Sequence, residues 1–284
     1  MPNQIPSLFM CFPGGRRKAL TFSYDDGMYL DRRLIDILDA HGMKGTFNVN
    51  AGRFADENGF NETNPLQRMT KAQFCETFTE SQHEVAIHGY SHCFLDSLSS
   101  AGVAHEVVHD REILEGLLGR VIRGMAYPYG AYNAAVISTL RECGVVYSRI
   151  ATSSFSFDLP ENWLRFAPTC HHSNPCLMEL AKQFAEMKIY HHPKMFCVWG
   201  HTFEFGQQNN WHTIEEFTDY MAGREDTIWY ATNMEIYEYI RDYNRLEFSS
   251  DYTFVYNPTC RPLWFILSSG VVYSVNPGET MKLS

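Results

Sequence analysis

A regular alternation of short apolar runs with longer segments of helical periodicity restricts the fold of this chain more than any other feature. The run 17–24, RKALTFSY, is followed by the segment 29–42, in which Leu34 and Leu38 lie one helical turn apart and Gly42 is a stop signal. Seven or eight such units follow one another along the chain. This pattern predicts an α/β fold, and the number of units favours a (β/α) barrel of about seven parallel strands.

The C-terminal part of the sequence departs from this alternation. Three strand-like runs, at 252–257, 263–268 and 271–276, are separated by turn signals. We therefore predict a barrel domain over residues 1–247 and a short β-rich extension over residues 248–284 that packs on the barrel.

Charge and composition limit the classes of partner. The net charge of −10 and the lack of a Lys/Arg run argue against nucleic acid and anionic membranes, so a neutral or cationic substrate is expected. The N-terminus lacks the pattern of a signal peptide, which favours a cytoplasmic location unless a leader has been trimmed. The eight cysteines form no C-x-x-C pair and are expected to be reduced thiols. Nothing in the sequence predicts the oligomeric state.

Polar or turn residues follow four of the predicted strands, at the end of the barrel where active sites of this fold lie. These residues are Asp25, Asp26, His88, His92, Pro128, Tyr129 and His201. A lone Asp-Asp-Gly is usually a turn and a lone His-x-x-x-His is usually incidental, but four strand ends together indicate a site. Asp26, His88 and His92 would leave a catalytic zinc one open position. We predict one divalent metal ion, zinc first, with cobalt, manganese or nickel as alternatives.

A competing zinc motif occupies residues 105–109, where HEVVH matches the H-E-x-x-H signature of zinc peptidases. On a helix, His105 and His109 fall opposite the apolar stripe, so we expect them to face solvent and to bind no metal. The stripe consists of Val103, Val107, Leu114, Leu117, Leu118 and Val121.

Four motifs in order resemble those of the polysaccharide deacetylases, also called the NodB homology group or carbohydrate esterase family four. TFSYDDG at 21–27 resembles T-F-D-D-G, HGYSH at 88–92 resembles H-[ST]-x-x-H, AYPYG at 126–130 resembles R-x-P-Y, and VWGH at 198–201 resembles the closing histidine motif. The resemblance implies a distorted (β/α) barrel and a divalent metal that is often zinc.

The resemblance also implies roles for the matching residues. Asp25 would be the catalytic base, Asp26 a metal ligand with the two histidines, and His201 the general acid. The backbone N–H of Tyr129, after Pro128, would form part of the oxyanion hole.

The sequence departs from the family pattern at three places. Gly89 replaces Ser or Thr, which is expected to remove only a supporting hydrogen bond. Ala126 replaces the arginine that orients the base, and Arg123 or Arg165 could substitute for it. Asp158 and Trp163 are weak matches to the family's Asp/Trp motif.

The family chemistry is the removal of acetyl groups from amino sugars or acetylated glycans. We expect an enzyme that deacetylates an N-acetylated sugar; an O-acetyl esterase, a hydrolase of a related linear or cyclic amide and an inactive glycan-binding relative are alternatives. Substrate specificity is assigned to the loops 51–69, 152–162 and 202–212. Candidate substrate contacts are Trp163, Phe203, Glu204 and Trp211. The adjacent pairs His171/His172 and His191/His192 are predicted not to be ligands, because neighbours on a strand cannot both face one site.

Overall fold

The computed structural model describes residues 7–283. Its strands, β1 to β14 in chain order, are Leu8–Cys11, Lys18–Asp25, Gly45–Val49, Glu84–Ile87, Gly124–Ala126, Tyr147–Arg149, Cys170–His171, Lys194–Gly200, Ile228–Tyr230, Glu247–Phe248, Phe254–Tyr256, Leu263–Leu267, Val272–Val275 and Thr280–Lys282. Its helices, α1 to α8, are Asp31–Ala40, Lys71–Phe78, Ser100–Leu118, Ala134–Glu142, Leu177–Glu186, Thr202–Gln208, His212–Met221 and Asn233–Tyr243.

The central sheet is a curled, distorted (β/α) barrel, as predicted. Seven parallel strands follow the order β6-β5-β4-β3-β2-β8-β7, and β9 pairs with β2 as the eighth. A parallel bridge between Arg149 at the end of β6 and Phe166, just before β7, brings the two edges of this sheet together. β3 and β9 pair with different halves of β2, which is one source of the distortion.

Local sequence explains why the elements begin and end where they do. All eight residues of β2 are buried, as expected for a parallel strand covered on both faces. The predicted capping box of α2 is present, with Thr70 accepting from the Gln73 N–H. α3 begins after Ser99, which accepts from Gly102, and ends at Gly119 in the left-handed region. The sequence pattern did not predict the short helix α6 or the two-residue strand β7.

The C-terminal strands form two small antiparallel sheets. One contains β1, β12 and β13 and the other contains β10, β11 and β14, so the first strand of the chain belongs to the C-terminal sheet. This unit packs on α8, where the Tyr239 hydroxyl donates to Cys11 O and accepts from the Trp264 N–H. Phe265 is fully buried, so it packs in the interior of the unit. The division at residue 247 stays a prediction.

Two further observations concern the cysteines and the helices. All eight cysteines are free. Within residues 7–283, no helix has the length and apolar character to cross a membrane.

Candidate metal and active site

Asp26, His88 and His92 lie together at the carboxyl ends of β2 and β4. One ligand atom from each lies within 4.8 Å of the other two, and Asp26 Oδ1 is 3.3 Å from His92 Nε2. Both Asp26 and His92 adopt positive φ, at 85° and 57°. Non-glycine residues rarely adopt this conformation, so the backbone is strained where it turns the two side chains toward one point.

The donor set fits a divalent cation. Burial lowers the pKa of His88 to about 4 and also lowers the pKa of His92, so both rings are neutral and offer lone pairs at pH 7. The other ring nitrogen of His88, Nδ1, lies 2.8 Å from Ala126 O, the kind of contact that orients a metal-binding imidazole. Two nitrogens and one carboxylate oxygen suit zinc, although other divalent ions accept the same set.

The loop that carries both histidines is held by acidic residues of α3. Asp110 accepts hydrogen bonds from the backbone N–H groups of His88 and Ala51, and burial raises its pKa to about 8. Glu106 accepts from both the N–H and the hydroxyl of Ser91. The HEVVH helix therefore supports the site through the two buried acids on its inner face.

The two histidines of that helix lie outside the cluster, as predicted. His105 is exposed, and His109 packs 4.5 Å from the ring of Tyr90 and 3.8 Å from Glu112. One detail of the predicted stripe is wrong, because Val121 lies beyond the helix end and is 72% exposed.

Asp25 lies between the cluster and His201. Its Oδ2 is 3.9 Å from Nε2 of both His88 and His201, and its Oδ1 accepts from Asn48 Nδ2 at 2.8 Å. Burial opposes ionisation of this carboxyl group, but Arg149, His88 and His201 together outweigh it and lower the pKa of Asp25 to about 2, with Arg149 the largest of the three. Asp25 is therefore a buried carboxylate that is ionised at neutral pH.

The partner of Asp25 corrects a prediction. Arg123 pairs with Glu238 and Arg165 lines a separate cavity beside Tyr132, whereas the fully buried Arg149 forms the ion pair with Asp25. Arg149 at the end of β6 is the direct neighbour of Ala126 in register, so the guanidinium comes from the adjacent strand.

The backbone conformation explains why Gly89 stands where the family motif has Ser or Thr. Its φ is 73°, and a side chain there would begin 3.3 Å from Pro128. Glycine is the residue that adopts this conformation without strain. Pro128 is buried and lies against Gly89, so it supports the histidine loop.

His201 enters from the opposite side, at the end of β8. Burial lowers its pKa, but Glu204 and Asp25 outweigh this and raise it above the ordinary value. Glu204, predicted as a substrate contact, is engaged instead by imidazoles: its Oε2 lies 3.1 Å from Nε2 of both His171 and His172. The expectation that the rings of His171 and His172 cannot face one site is wrong. β7 ends at His171, so the alternation of side chains along a strand does not turn His172 to the opposite face.

The sequence also did not reveal Arg68. Its Nη2 lies 2.9 Å from Asp26 Oδ1, and its Nη1 donates to the backbone oxygen of Asp26 and to Asn50 Oδ1. Burial opposes ionisation of Asp26, but His88 and Arg68 lower its pKa. Arg68 comes from the loop 51–69, which therefore reaches the site.

The turn after β5 borders the cluster. Tyr129 has a φ of 57°, and within residues 7–283 we find no hydrogen bond from its N–H. Its ring is 4.6 Å from His92 and stacks on Phe94 at 4.1 Å with an angle of 10°. Both stacked rings are more than half exposed, and Phe94, like Arg149 and Arg68, was not predicted from the sequence.

The other candidate aromatic residues are less close. Trp163 packs against Phe166 and Tyr237, and Trp211 is buried against Phe205, so neither ring faces the cleft. Phe203 lies 5.0 Å from His201 and borders the site. Asp158 pairs with Lys194 at the amino end of β8, opposite the site, so it does not serve as the family's aspartate.

The protein is therefore a (β/α) barrel in which Asp26, His88 and His92, at the carboxyl ends of the strands, form a donor set suited to a divalent cation. Residues 13–148 match the family model described as "Polysaccharide deacetylase". This range of the chain includes Asp25, Asp26, His88, His92 and Tyr129. This match confirms the resemblance to the polysaccharide deacetylase family over residues 13–148.

Individual relatives agree with this assignment. The chain is 30% identical over 143 residues to a chitin deacetylase of Pestalotiopsis sp and 29% identical over 151 residues to a probable peptidoglycan-N-acetylglucosamine deacetylase of Arthroderma benhamiae. These alignments cover 49% and 50% of this chain but only 44% and 31% of the relatives. A Mycobacterium smegmatis structure described as a polysaccharide deacetylase superposes with a TM-score of 0.58 at 17% identity, covering 84% of this chain and 94% of that one, which supports the fold.

Proposed function

We propose that the protein is a metal-dependent hydrolase that removes the acetyl group from an N-acetylated sugar. The observation that carries the proposal is the position of Asp25, a buried carboxylate between a donor set of two neutral histidines and the Asp26 carboxylate on one side and a histidine of raised pKa on the other. Zinc is the proposed metal, and a cytoplasmic location remains part of the proposal.

Asp25 is placed to accept the proton of an attacking water. A divalent cation held by Asp26, His88 and His92 would lower the pKa of a bound water to about 7 and polarise the acetyl carbonyl. Asp25 alone is a weak base because its pKa is about 2, but it is ionised, desolvated and fixed by Arg149 and Asn48. Its contribution is therefore the position of the proton acceptor more than its basicity.

His201 is placed to protonate the leaving group. Its raised pKa keeps the imidazolium form to higher pH, and Glu204 fixes the ring through a contact of 3.5 Å to Nδ1. Cleavage of an amide depends more on protonation of the leaving group than cleavage of an ester does, because an unprotonated amine is a poor leaving group. A positioned acid therefore favours an N-acetyl over an O-acetyl substrate.

The Tyr129 N–H supports the proposed oxyanion hole. It lies in a left-handed turn beside the cluster and has no competing acceptor among the described residues. One donor of this kind contributes about 3 kcal/mol to transition-state stabilisation.

The stacked rings of Phe94 and Tyr129 support a sugar as the substrate. They are 53% and 58% exposed and adjoin His92, so they present an apolar face to a pyranose ring at the edge of the site. The net charge of −10 is compatible with a neutral or partly deacetylated, cationic glycan.

Acetate release tests the proposal. Metal-loaded protein should release acetate from N-acetylglucosamine oligosaccharides faster than from acetylated xylan, and a chelator should stop the reaction. Asp25→Asn is the matched inactive control, because it keeps the shape of the side chain and removes the proton acceptor. A loaded protein that releases no acetate from either substrate would contradict the proposal, and faster release from xylan would indicate an esterase.

A further inference from the structure

A second group of potential metal ligands lies on the far side of Asp25. His171, His201 and Glu204 each offer one ligand atom within 4.8 Å of the other two, and we call these three residues the outer cluster. They come from the ends of β7 and β8 and from the first turn of α6. The proposed reaction uses only His201 and its contact with Glu204, so it does not explain why His171 and His172 also lie against this carboxylate.

The geometry of the outer cluster suits coordination. The two carboxylate oxygens of Glu204 face different imidazoles, with Oε2 3.1 Å from His171 Nε2 and Oε1 3.5 Å from His201 Nδ1. Nδ1 of His171 accepts from the Ser173 N–H at 3.2 Å and lies 2.7 Å from the Ser173 hydroxyl, so the ring is held with Nε2 toward Glu204, and a cation at Nε2 would displace the proton of that nitrogen.

Unpartnered nitrogens provide an independent indication of a missing ligand. His201 Nδ1 is buried and lacks a hydrogen bond within the described part of the chain. His172, only 1% exposed, packs behind the outer cluster, and neither of its ring nitrogens forms a hydrogen bond among residues 7–283, although Nε2 is 3.1 Å from Glu204 Oε2 without the alignment of one. Buried polar atoms are normally satisfied, so a cation bound at Nδ1 of His201 would remove the deficit at that atom.

We propose that His171, His201 and Glu204 bind a second divalent cation of the zinc class and that its binding inhibits the enzyme. Three protein ligands of nitrogen and oxygen leave room for water, as in open zinc sites. The inhibitory part rests on the proposed function, in which His201 acts as an acid. A cation on Nδ1 would take the place of the proton there, and the Nε2–H of a metal-bound imidazole is a much weaker acid than that of an imidazolium, so His201 would protonate the leaving group more slowly.

The inhibitory cation and the catalytic one would not compete for the same ligands. Asp25 Oδ2 lies 3.9 Å from Nε2 of His201 and 3.9 Å from Nε2 of His88, so this carboxylate stands between the two groups. Activity should therefore rise as zinc fills the first site and fall when zinc fills the outer cluster.

Zinc stoichiometry tests the site without any assay of activity. Equilibrium dialysis with zinc alone, followed by metal analysis, should give two equivalents for the unaltered chain and one for His171→Ala. His88→Ala should keep the equivalent at the outer cluster. Surface controls are His105→Ala with His109→Ala and His191→Ala with His192→Ala, which should both retain two equivalents. One equivalent in the unaltered chain, or two in His171→Ala, would overturn the proposal.

Acetate release then tests the inhibitory part. Excess zinc should reduce the rate of the unaltered chain at least tenfold and should have at most a twofold effect on His171→Ala, whose fold is checked by its circular dichroism and melting temperature. Equal inhibition of both proteins would refute inhibition at the outer cluster. If neither protein releases acetate, the proposed function fails, while the stoichiometry still decides whether the outer cluster binds zinc.

Discussion

Replacement of Arg149 by methionine tests the assignment of Arg149 as the residue that keeps Asp25 ionised. Both side chains are almost fully buried, so the variant leaves a carboxylate in the interior without its main counter-charge. Removal of one partner of a buried ion pair costs about 3–5 kcal/mol. The pKa of Asp25 gives a similar scale, because its fall from 3.8 to about 2 corresponds to about 2.5 kcal/mol of net stabilisation of the charged form.

The free energy of unfolding in urea, measured from pH 7 down to pH 4, provides the assay. At pH 7 we expect Arg149→Met to lose about 3–5 kcal/mol. Without Arg149, the pKa of Asp25 should rise above its unfolded value, so the penalty is present at high pH and diminishes as pH falls through the raised pKa. Addition of Asp25→Asn to Arg149→Met removes the buried charge and should recover part of the loss.

Arg123→Met is the matched control. The Arg123–Glu238 ion pair is partly exposed, at 30% and 23% of the two side chains, so its loss should cost about 1 kcal/mol. Our reasoning about Asp25 would be refuted if Arg149→Met cost no more than Arg123→Met, or if Asp25→Asn changed stability equally in both backgrounds.

Three further predictions follow from the site. His88→Ala should abolish or greatly weaken zinc binding at the first cluster, whereas joint replacement of His105 and His109 by alanine should not, and equilibrium dialysis would distinguish them. Phe94→Ala should raise KM for an oligosaccharide about tenfold with little change in kcat, whereas a parallel fall in kcat would contradict a role in sugar binding alone. Because the pKa of His201 is raised, acetate release should fall as pH rises through a value above 6.5, and an alkaline limb at or below 6.5 in the pH–rate profile would contradict its role as acid.

Strand ends allowed the first cluster to be predicted from sequence. A parallel barrel carries the carboxyl ends of all its strands to one face, so Asp26, His88 and His92 could be brought together from their position after apolar runs alone. The helical spacing of the apolar residues in α3 likewise placed His105 and His109 correctly on the outer face of that helix.

Residues that act through register or packing were not predictable in this way. Arg149 is one arginine at the end of a short strand, and only its pairing with Ala126 shows that it replaces the missing family arginine. Phe94 and Arg68 lie in loops, where no periodicity indicates direction. Trp163 was a wrong choice because a tryptophan near a motif in sequence packs equally well into a neighbouring core.

The pairing of β1 with β12 has a consequence for synthesis of the chain on the ribosome. Leu8 pairs with Leu267 in this sheet, so the backbone groups of β1 find their partners only after β12 has been translated. Strands β2 to β6 can pair progressively as they emerge, since they lie side by side in chain order, whereas β8 and β9 join β2 only after residues 194–230 have been made. The terminal sheet should therefore close last, and until then the apolar segment Leu8–Cys11 is an open strand that a chaperone, or another nascent chain, could pair with.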